Sequence, residues 1–556
     1  MINFLAEISV KADVEAHFTP CGDYPRHFDV YCMDIAKPPA KSYWLDWGGR
    51  YDSFTGTTVV LYLSQYLNAV SSESEVLGTP FTIFVRANGT AIFNVPVHPW
   101  LYSFYSTAIR SVSFFVTNPP DPDSPSDMRI AGTQAHPRLG VPGFSVKLSE
   151  SVSGISLNQG FGLSLANNDG FFDDDERWKI FNSPISIKKS TKGKSDYADF
   201  REIRSGYVED YSAGLQDFDV SVSDKFRAME DPVCNVVTGP YLDIQTVEDG
   251  ALGKFIPVVY GTKTIKLLRL TEGKYIAAEF VGRVAGLYGA DGNSITGYSL
   301  DTKTMIITVT EKDEKGELKT ADTASVEGYP ANRIGEVVRD IITRKTEIPY
   351  IPTFWNQTET DAYASASPRV GIAFTGGSVR TAVQGVLKSD MAYLMQQQDG
   401  KFTVRRYGNS YKTHSLQPWM LTQPPKKTFS KAAKNYFSAC RVNYGFTDGG
   451  SYKSFYFDRL KNIAELNYGK LVTQTFDTDL VSPGDAEALA VLLGRRYAQI
   501  RQTVELSLGV DTGGMELLDR VNLDLAINGR KISGAGVFVI TEINPAQDKI
   551  SVEQFD

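Results

Sequence analysis

Cysteine is scarce in this chain, with Cys21, Cys32, Cys234 and Cys440 the only four in 556 residues. So few cannot form a disulfide framework, and stability has to come from packed cores. Cys21 and Cys32 could pair within one hairpin, but free thiols are expected for a protein made in the cytosol. The five histidines, His17, His27, His98, His136 and His414, are scattered. No H-x-x-x-H or C-x-x-C spacing joins them, so no metal centre is expected. The chain also lacks a G-x-S-x-G elbow, a Walker loop and a dinucleotide fingerprint. No pair of carboxylates is marked out for glycoside hydrolysis. Catalysis and a cofactor are therefore not expected. No apolar run reaches the length that spans a bilayer, and the opening MINFLAEISVKADVEAHF has Glu7 in its apolar stretch and no basic leader. It reads as neither signal peptide nor membrane anchor, which predicts a chain made soluble. An excess of positive charge is missing too. Lys+Arg 57 against Asp+Glu 65 leaves −8, which gives no bulk attraction to nucleic acid or anionic membrane.

What is abundant is aromatic and extended. Phe, Tyr and Trp make up 12% of the chain, mostly 28 Tyr and 31 Phe, which favours pleated surfaces. The length suggests about three to five domains. Residues 1–117 read as short strands with turn spacing, a β-sandwich-like domain: 28–35, 57–67, 79–87, 91–97 and 109–117 are the clearest. Asn88-Gly89 is a strong hairpin signal between two of them. Residues 118–127, NPPDPDSPSD, read as a linker.

The stretch from Gly154 to Lys189 organises the next domain, 128–250. Ile155 and Leu157, then Phe161, Leu163 and Leu165, alternate as in strands with one buried face, with a break at Asn158-Gln159-Gly160. Asn167-Asn168-Asp169-Gly170 supplies a tight turn, and Phe181, Ile185 and Ile187 resume the extended pattern. Residues 251–330 form a β insertion. Residues 331–425 read as a small α+β domain: Asn332 caps a helix carrying Ile334, Val337, Val338, Ile341 and Ile342, and Ser378 caps one carrying Val379, Ala382, Val383, Val386 and Leu387. Asp399-Gly400 then turns into a strand. QPPKKTF (423–429) reads as a linker. In 430–556, Ser482-Pro483-Gly484-Asp485 starts a helix whose buried side holds Ala488, Leu489, Val491, Leu492, Tyr497 and Ile500, and four alternating strands follow.

Candidate sites are few. Asp169, Asp173, Asp174, Asp175 and Glu176 crowd one turn and could hold calcium through Asp169, Asp173 and Asp175. The EF-hand pattern fails, because it would need an acid at Leu165, and a solvated acidic turn is the simpler reading. Trp44, Trp47 and Trp100 could form a glycan platform, against the plainer reading of core or edge aromatics. Two lysine runs, at 188, 189, 192 and 194 and at 426, 427, 431 and 434, raise nucleic-acid binding. The first contains no stacking aromatics, so it reads as a mobile hairpin tip.

Several separate stretches resemble one known family, the tail hub (baseplate hub) proteins of tailed bacteriophages. SGISLNQGFGLSLANNDGFFDD is similar to the family strand that an N-x-D-G element ends. GKFIPVVYG resembles its G-x-x-I-P-x-x-Y-G segment. FTGGSVRTAVQGVLKSDMAYLMQQQDGKFTVRRYG resembles its helix-then-strand module. Gly484-Asp485 onward, through LLDRVNLDL and FVITEINPAQDKISVEQFD, resembles its closing helix and barrel. The order of these motifs along residues 150–556 is the specific signal, and residues 1–125 fall outside it. The resemblance implies a mainly β, multi-domain chain with tube-like β-barrels at 128–250 and 430–556. It also implies a homotrimeric ring that joins the tail tube and distal ring proteins to a central spike or fibre. DNA would pass through the lumen without specific binding. The expected location is the virion tail tip, assembled in the host cytoplasm. The alternative function is host-surface glycan recognition through the N-terminal sandwich.

Overall fold

The computed structural model describes strand backbone at intervals through residues 4–136. With side chains, it describes residues 145–148, 154–155, 161–168, 183–190, 200–223, 229–238, 251–346, 348–428, 437–445, 453–458, 472–498, 501–523 and 537–555, and a few single positions besides. The architecture is mainly β and multi-domain. The chain divides into two compact units, Met1–Phe144 with Gln159–Lys225, and Ser145–Asn158 with Phe226–Asp556.

The first unit is dominated by a ten-stranded sheet. Its strand Phe161–Ala166 alternates buried and exposed as the sequence predicts, with Phe161, Leu163 and Leu165 inside. The partner strand Asp217–Ser223 does the same with Phe218, Val220 and Val222, and the register sets Leu163 opposite Val220 and Leu165 opposite Phe218. Each such buried side chain contributes roughly 1.5–3 kcal/mol. Phe200–Ala213 and Pro184–Ser190 extend the sheet, and Phe4–Phe18 pairs with both Pro184–Ser190 and Thr107–Thr117. Strands from before and after 118–127 thus share one sheet. Ala87 stands opposite Thr90 in the pairing of Phe81–Ala87 with Thr90–Val97, the register of a two-residue hairpin. Lys188 and Lys189 lie within a paired strand, and Lys189 is buried. Lys192 and Lys194 lie outside the described residues.

The stretch 154–189 does not stay in one unit. Gly154–Ile155 pairs in parallel with Ala392–Gln396 in the second unit, whereas Phe161–Ala166 belongs to the first. The break in alternation at Asn158-Gln159-Gly160 coincides with that change.

In the second unit, four α-helices lie among the described residues. These are α1 (Ile334–Lys345), α2 (Gln357–Ala366), α3 (Val379–Lys388) and α4 (Pro483–Tyr497). The apolar faces predicted for α1 and α3 are buried. Ser378 caps α3 as expected, accepting from the Thr381 N–H at 3.3 Å. The cap of α1 is Arg333, one residue later than expected. There the Glu336 carboxylate accepts the Asn332 and Arg333 N–H groups at 3.4 and 3.3 Å, the return half of a capping box, while the first-turn N–H of Gly335 donates to Ser367 Oγ at 3.0 Å in place of a capping side chain. Helix α4 begins where predicted and buries Leu489 and Tyr497 as expected, but the rest of its buried stripe is turned, and Ile500 lies outside the described residues. Ala486, Leu489, Ala490, Leu493 and Tyr497 are buried, while Ala488 is exposed and Val491 and Leu492 are half-buried. The stripe follows its contact with the strands Ala439–Tyr444 and Lys453–Phe457, where Gly494 lets the Phe457 ring come so close that a Cβ would meet it at 2.5 Å. Helix α2 was not expected, although Asn356 accepts from the Glu359 N–H at 3.3 Å and so caps it normally.

Two small antiparallel sheets between Thr262 and Glu327 have their own core around Leu267, Tyr275, Leu287, Ile307 and Val326. The C-terminal sheet runs Thr413–Leu416, Arg520–Leu523, Val537–Asn544, Lys549–Gln554, Arg501–Ser507, Lys426–Ser430, with Val146–Lys147 added on Val537–Asn544. QPPKKTF is therefore not linker throughout, because its second half is an edge strand held by the Arg501–Ser507 ladder. The other face of this sheet packs Val504, Leu506, Ile540 and Val552 into the main core.

Candidate functional site

Asp169, Asp173 and Asp175, and Trp44, Trp47 and Trp100, lie outside the described residues, as do Asp174 and Glu176. Among the described residues no group of three or more His, Cys, Asp or Glu is placed to hold a metal ion. Cys234 and Cys440 are buried free thiols; burial pushes the Cys440 thiol up to about 12, which keeps it protonated and unreactive.

The densest chemistry in the second unit surrounds Arg405, on the strand Phe402–Arg406, whose side chain is only 2% exposed. Its Nε and Nη2 donate to the two Glu359 oxygens, both at 2.8 Å. Nη1 donates to the Leu517 carbonyl at 2.7 Å and to Asp519 Oδ1 at 2.9 Å. The guanidinium lies over the Tyr411 ring, 4.6 Å from its centroid. Burial works against the charge, but the Glu359 hydrogen bonds and Asp519 outweigh it and hold the Arg405 pKa above its ordinary value. The second Asp519 oxygen accepts from the Glu516 N–H at 2.9 Å and meets His414 Nε2 at 2.9 Å.

Between these partners Leu518 adopts φ 68°, a left-handed conformation costing roughly 1 kcal/mol for a residue of its kind. That turn lets the Leu517 carbonyl and the Asp519 carboxylate serve the same guanidinium. Glu516 accepts from the Gln398 N–H at 3.0 Å, and burial pushes its carboxyl up to about 8. Gln398 Nε2 donates to the Met515 carbonyl at 2.7 Å, fixing the hairpin tip whose Gly400 has φ 79°.

His414 beside Asp519 has the look of an acid–base pair. Yet the other oxygen of that carboxylate is committed to Arg405, and no hydroxyl or thiol among the described residues is bonded to His414. Among the described residues the arrangement ties α2, the strand Phe402–Arg406 and the turn before Arg520–Leu523 together, and none of them offers a nucleophile to the imidazole.

A second such arrangement is smaller. Asp390, 1% exposed, accepts from Arg406 Nε at 2.8 Å and from the Tyr363 hydroxyl at 3.1 Å, and burial pushes its carboxyl up to about 6.

In the first unit the N-x-D-G element supplies a neutral counterpart. Gly170, at φ 67°, donates its N–H to the Asn167 carbonyl at 2.9 Å and closes the predicted turn. Asn167 is fully buried. Its backbone N–H donates to the Gln216 carbonyl at 2.6 Å, its Nδ2 to the Gly214 carbonyl at 3.0 Å, and its Oδ1 accepts from the Phe172 N–H at 2.8 Å. Phe172 stacks on Phe218 at 4.5 Å beneath. The turn of one hairpin is thereby bolted to the loop that follows another strand.

The open face of the C-terminal sheet carries a polar cleft of about 410 Å³, lined among others by Lys147, Lys426, Lys549, Glu505, Glu542 and Asn544. Lys147 pairs with Glu542 at 3.2 Å and Lys426 with Glu505 at 3.3 Å. Of the two lysine runs read from the sequence, Lys426 alone enters this cleft; Lys431 and Lys434 lie outside the described residues.

Sequence reasoning identified Asn167 as a turn residue but missed Arg405, Glu359 and Asp519. Asn356 with Glu359 three residues on was a readable helix start. The pairing of Arg405 with residues 46 and 114 positions away was not.

No family model matches this sequence, and no curated protein does. Among solved structures, the chain is similar to a tail protein from Neisseria meningitidis MC58, with 9% identity, a TM-score of 0.34, and coverage of 74% of this chain and 89% of that one. It is also similar to the 43 kDa tail protein of prophage MuSo2 from Shewanella oneidensis, with 10% identity, a TM-score of 0.34, and coverage of 74% and 91%. A prophage tail protein from Listeria monocytogenes EGD-e gives 9% identity, a TM-score of 0.29, and coverage of 75% and 89%.

Proposed function

We propose that this chain is a structural, non-enzymatic component of a bacteriophage tail, a hub that assembles as a homotrimeric ring at the tail tip. In this reading it joins the tail tube and distal ring proteins to a central spike or fibre, and DNA passes through its lumen without specific binding. The domains proposed are a sandwich-like domain at 1–117, a linker at 118–127, barrels at 128–250 and 430–556, and inserted domains at 251–330 and 331–425.

The observation that carries the reading is the order of the motifs, together with the structural task each performs. The N-x-D-G element closes a turn through Gly170 and clamps a hairpin through Asn167. In G-K-F-I-P-V-V-Y-G, Val258–Tyr260 is a strand and Gly261 has φ 65°. The helix-then-strand module is α3 followed by Ala392–Gln396 and Phe402–Arg406, and the closing segment is α4 and the C-terminal sheet. Each motif is a local turn, strand or capping device, and this agreement between residue pattern and local geometry supports the reading.

The experiment is the solution mass of the purified chain, followed by negative-stain imaging. A trimer with a central hole is the expected result. A strict monomer that also fails to enter tails assembled around it would overturn the hub reading.

A further inference from the structure

The loop held by Asn167 presents an apolar side chain. Leu215, at the tip of the hairpin made by Phe200–Ala213 and Asp217–Ser223, is 91% exposed. The tip is not loose. Gly214 donates to the Asp217 carbonyl at 2.8 Å, and Asn167 donates to the carbonyls of both Gly214 and Gln216. A loop backbone fixed in advance loses little freedom on docking, which is how a small contact becomes an effective anchor. Asp217 and Asp219 are exposed beside it, Glu209 and Asp210 are exposed further down the same hairpin, and no residue from 205 to 223 is basic. The surface is an apolar knob in an acidic collar.

The same chain carries a surface of the opposite kind. In the cleft on the C-terminal sheet, Lys147, Lys426 and Lys549 outnumber Glu505 and Glu542. Each glutamate is already held by one lysine, and Lys549 has no ion-pair partner among the described residues.

We propose that Leu215 and its acidic collar dock into the lysine-lined cleft of a second copy of this chain, with Asp217 taken by Lys549. Two different surfaces meet, so the contact is head-to-tail and copies can add in series until they close a ring. The inference rests on the reading that the chain self-assembles, but requires neither a trimer nor a tail.

The test is sedimentation velocity of the full chain over a concentration series, at low and high salt. Self-association of the wild type is expected to weaken with salt, because exposed charge pairs are screened. Leu215→Ser, Asp217→Lys and Lys549→Asp are each expected to weaken it about tenfold or more. All three positions are exposed, so circular dichroism and melting temperature should hold. Combining Asp217→Lys with Lys549→Asp restores the opposite charges and is expected to bring association back to within about threefold of wild type.

A wild-type chain that stays monomeric, single variants that associate normally, or a double variant without recovery would each overturn the contact. The ring reading fails separately. Open strings or dimers that depend on these residues would uphold the contact and sink the closed hub. A closed ring indifferent to all three substitutions would do the reverse.

Discussion

Asn167 and Arg405 both bolt a hairpin to a neighbouring loop, one with a neutral amide and the other with a buried charge. Asn167 needs only carbonyls and one N–H as partners, and those come from backbone that is present whatever the surrounding side chains are. Arg405 needs two carboxylates delivered from α2 and from the turn just before Arg520–Leu523, and a left-handed Leu518 to aim the second. A neutral clamp lost leaves polar groups short of a hydrogen bond. A charged clamp lost leaves ions stranded, and desolvation makes that far more costly.

Arg405→Ala gives the largest effect on this comparison. It strands Asp519 and Glu359, and chemical denaturation should show a loss of about 3–5 kcal/mol. Replacing Arg405, Glu359 and Asp519 together by Met, Gln and Asn should recover much of that loss. A triple variant as unstable as Arg405→Ala would show that the site depends on the charge itself and not on the pairing.

Asn167→Ala comes next, at about 2 kcal/mol, from net hydrogen bonds worth about 1 kcal/mol each. Hydrogen exchange at Phe172 and Gly214 should accelerate more than the global loss of stability explains. Unchanged protection there would mean that the turn is held by the Phe172–Phe218 stack instead.

Lys426→Ala is the smallest. Its partner Glu505 is half exposed and Lys426 itself 70% exposed, so the change in unfolding free energy should stay below about 1 kcal/mol. A larger loss would show that the edge strand Lys426–Ser430 depends on this pair as the α2 joint depends on Arg405.

Much of the local structure was legible from residue order. The N-x-D-G turn, the Ser378 cap, the Asp399-Gly400 hairpin and the alternating strands after α4 are all short-range devices, whose interacting groups lie within a few residues. Helix α4 shows where that legibility stops. Its start was marked by Ser482-Pro483, yet its buried stripe was turned by the sheet it meets and by the close approach of Phe457 to Gly494. QPPKKTF shows the same limit, since lysines after a double proline form a strand when a ladder is offered.

The sequence by itself determined the β-rich composition, the turn chemistry and the starts of α3 and α4. Propensity, capping and left-handed turns are decided by neighbours along the chain. Only the tertiary structure decided that Gly154–Ile155 and Phe161–Ala166 belong to different units and that Phe4–Phe18 shares a sheet with Pro184–Ser190. It alone decided, too, that Arg405 finds Glu359 and Asp519. Strand pairing and charge burial depend on which distant segments share a core, and period-two alternation reports a buried face without saying what covers it.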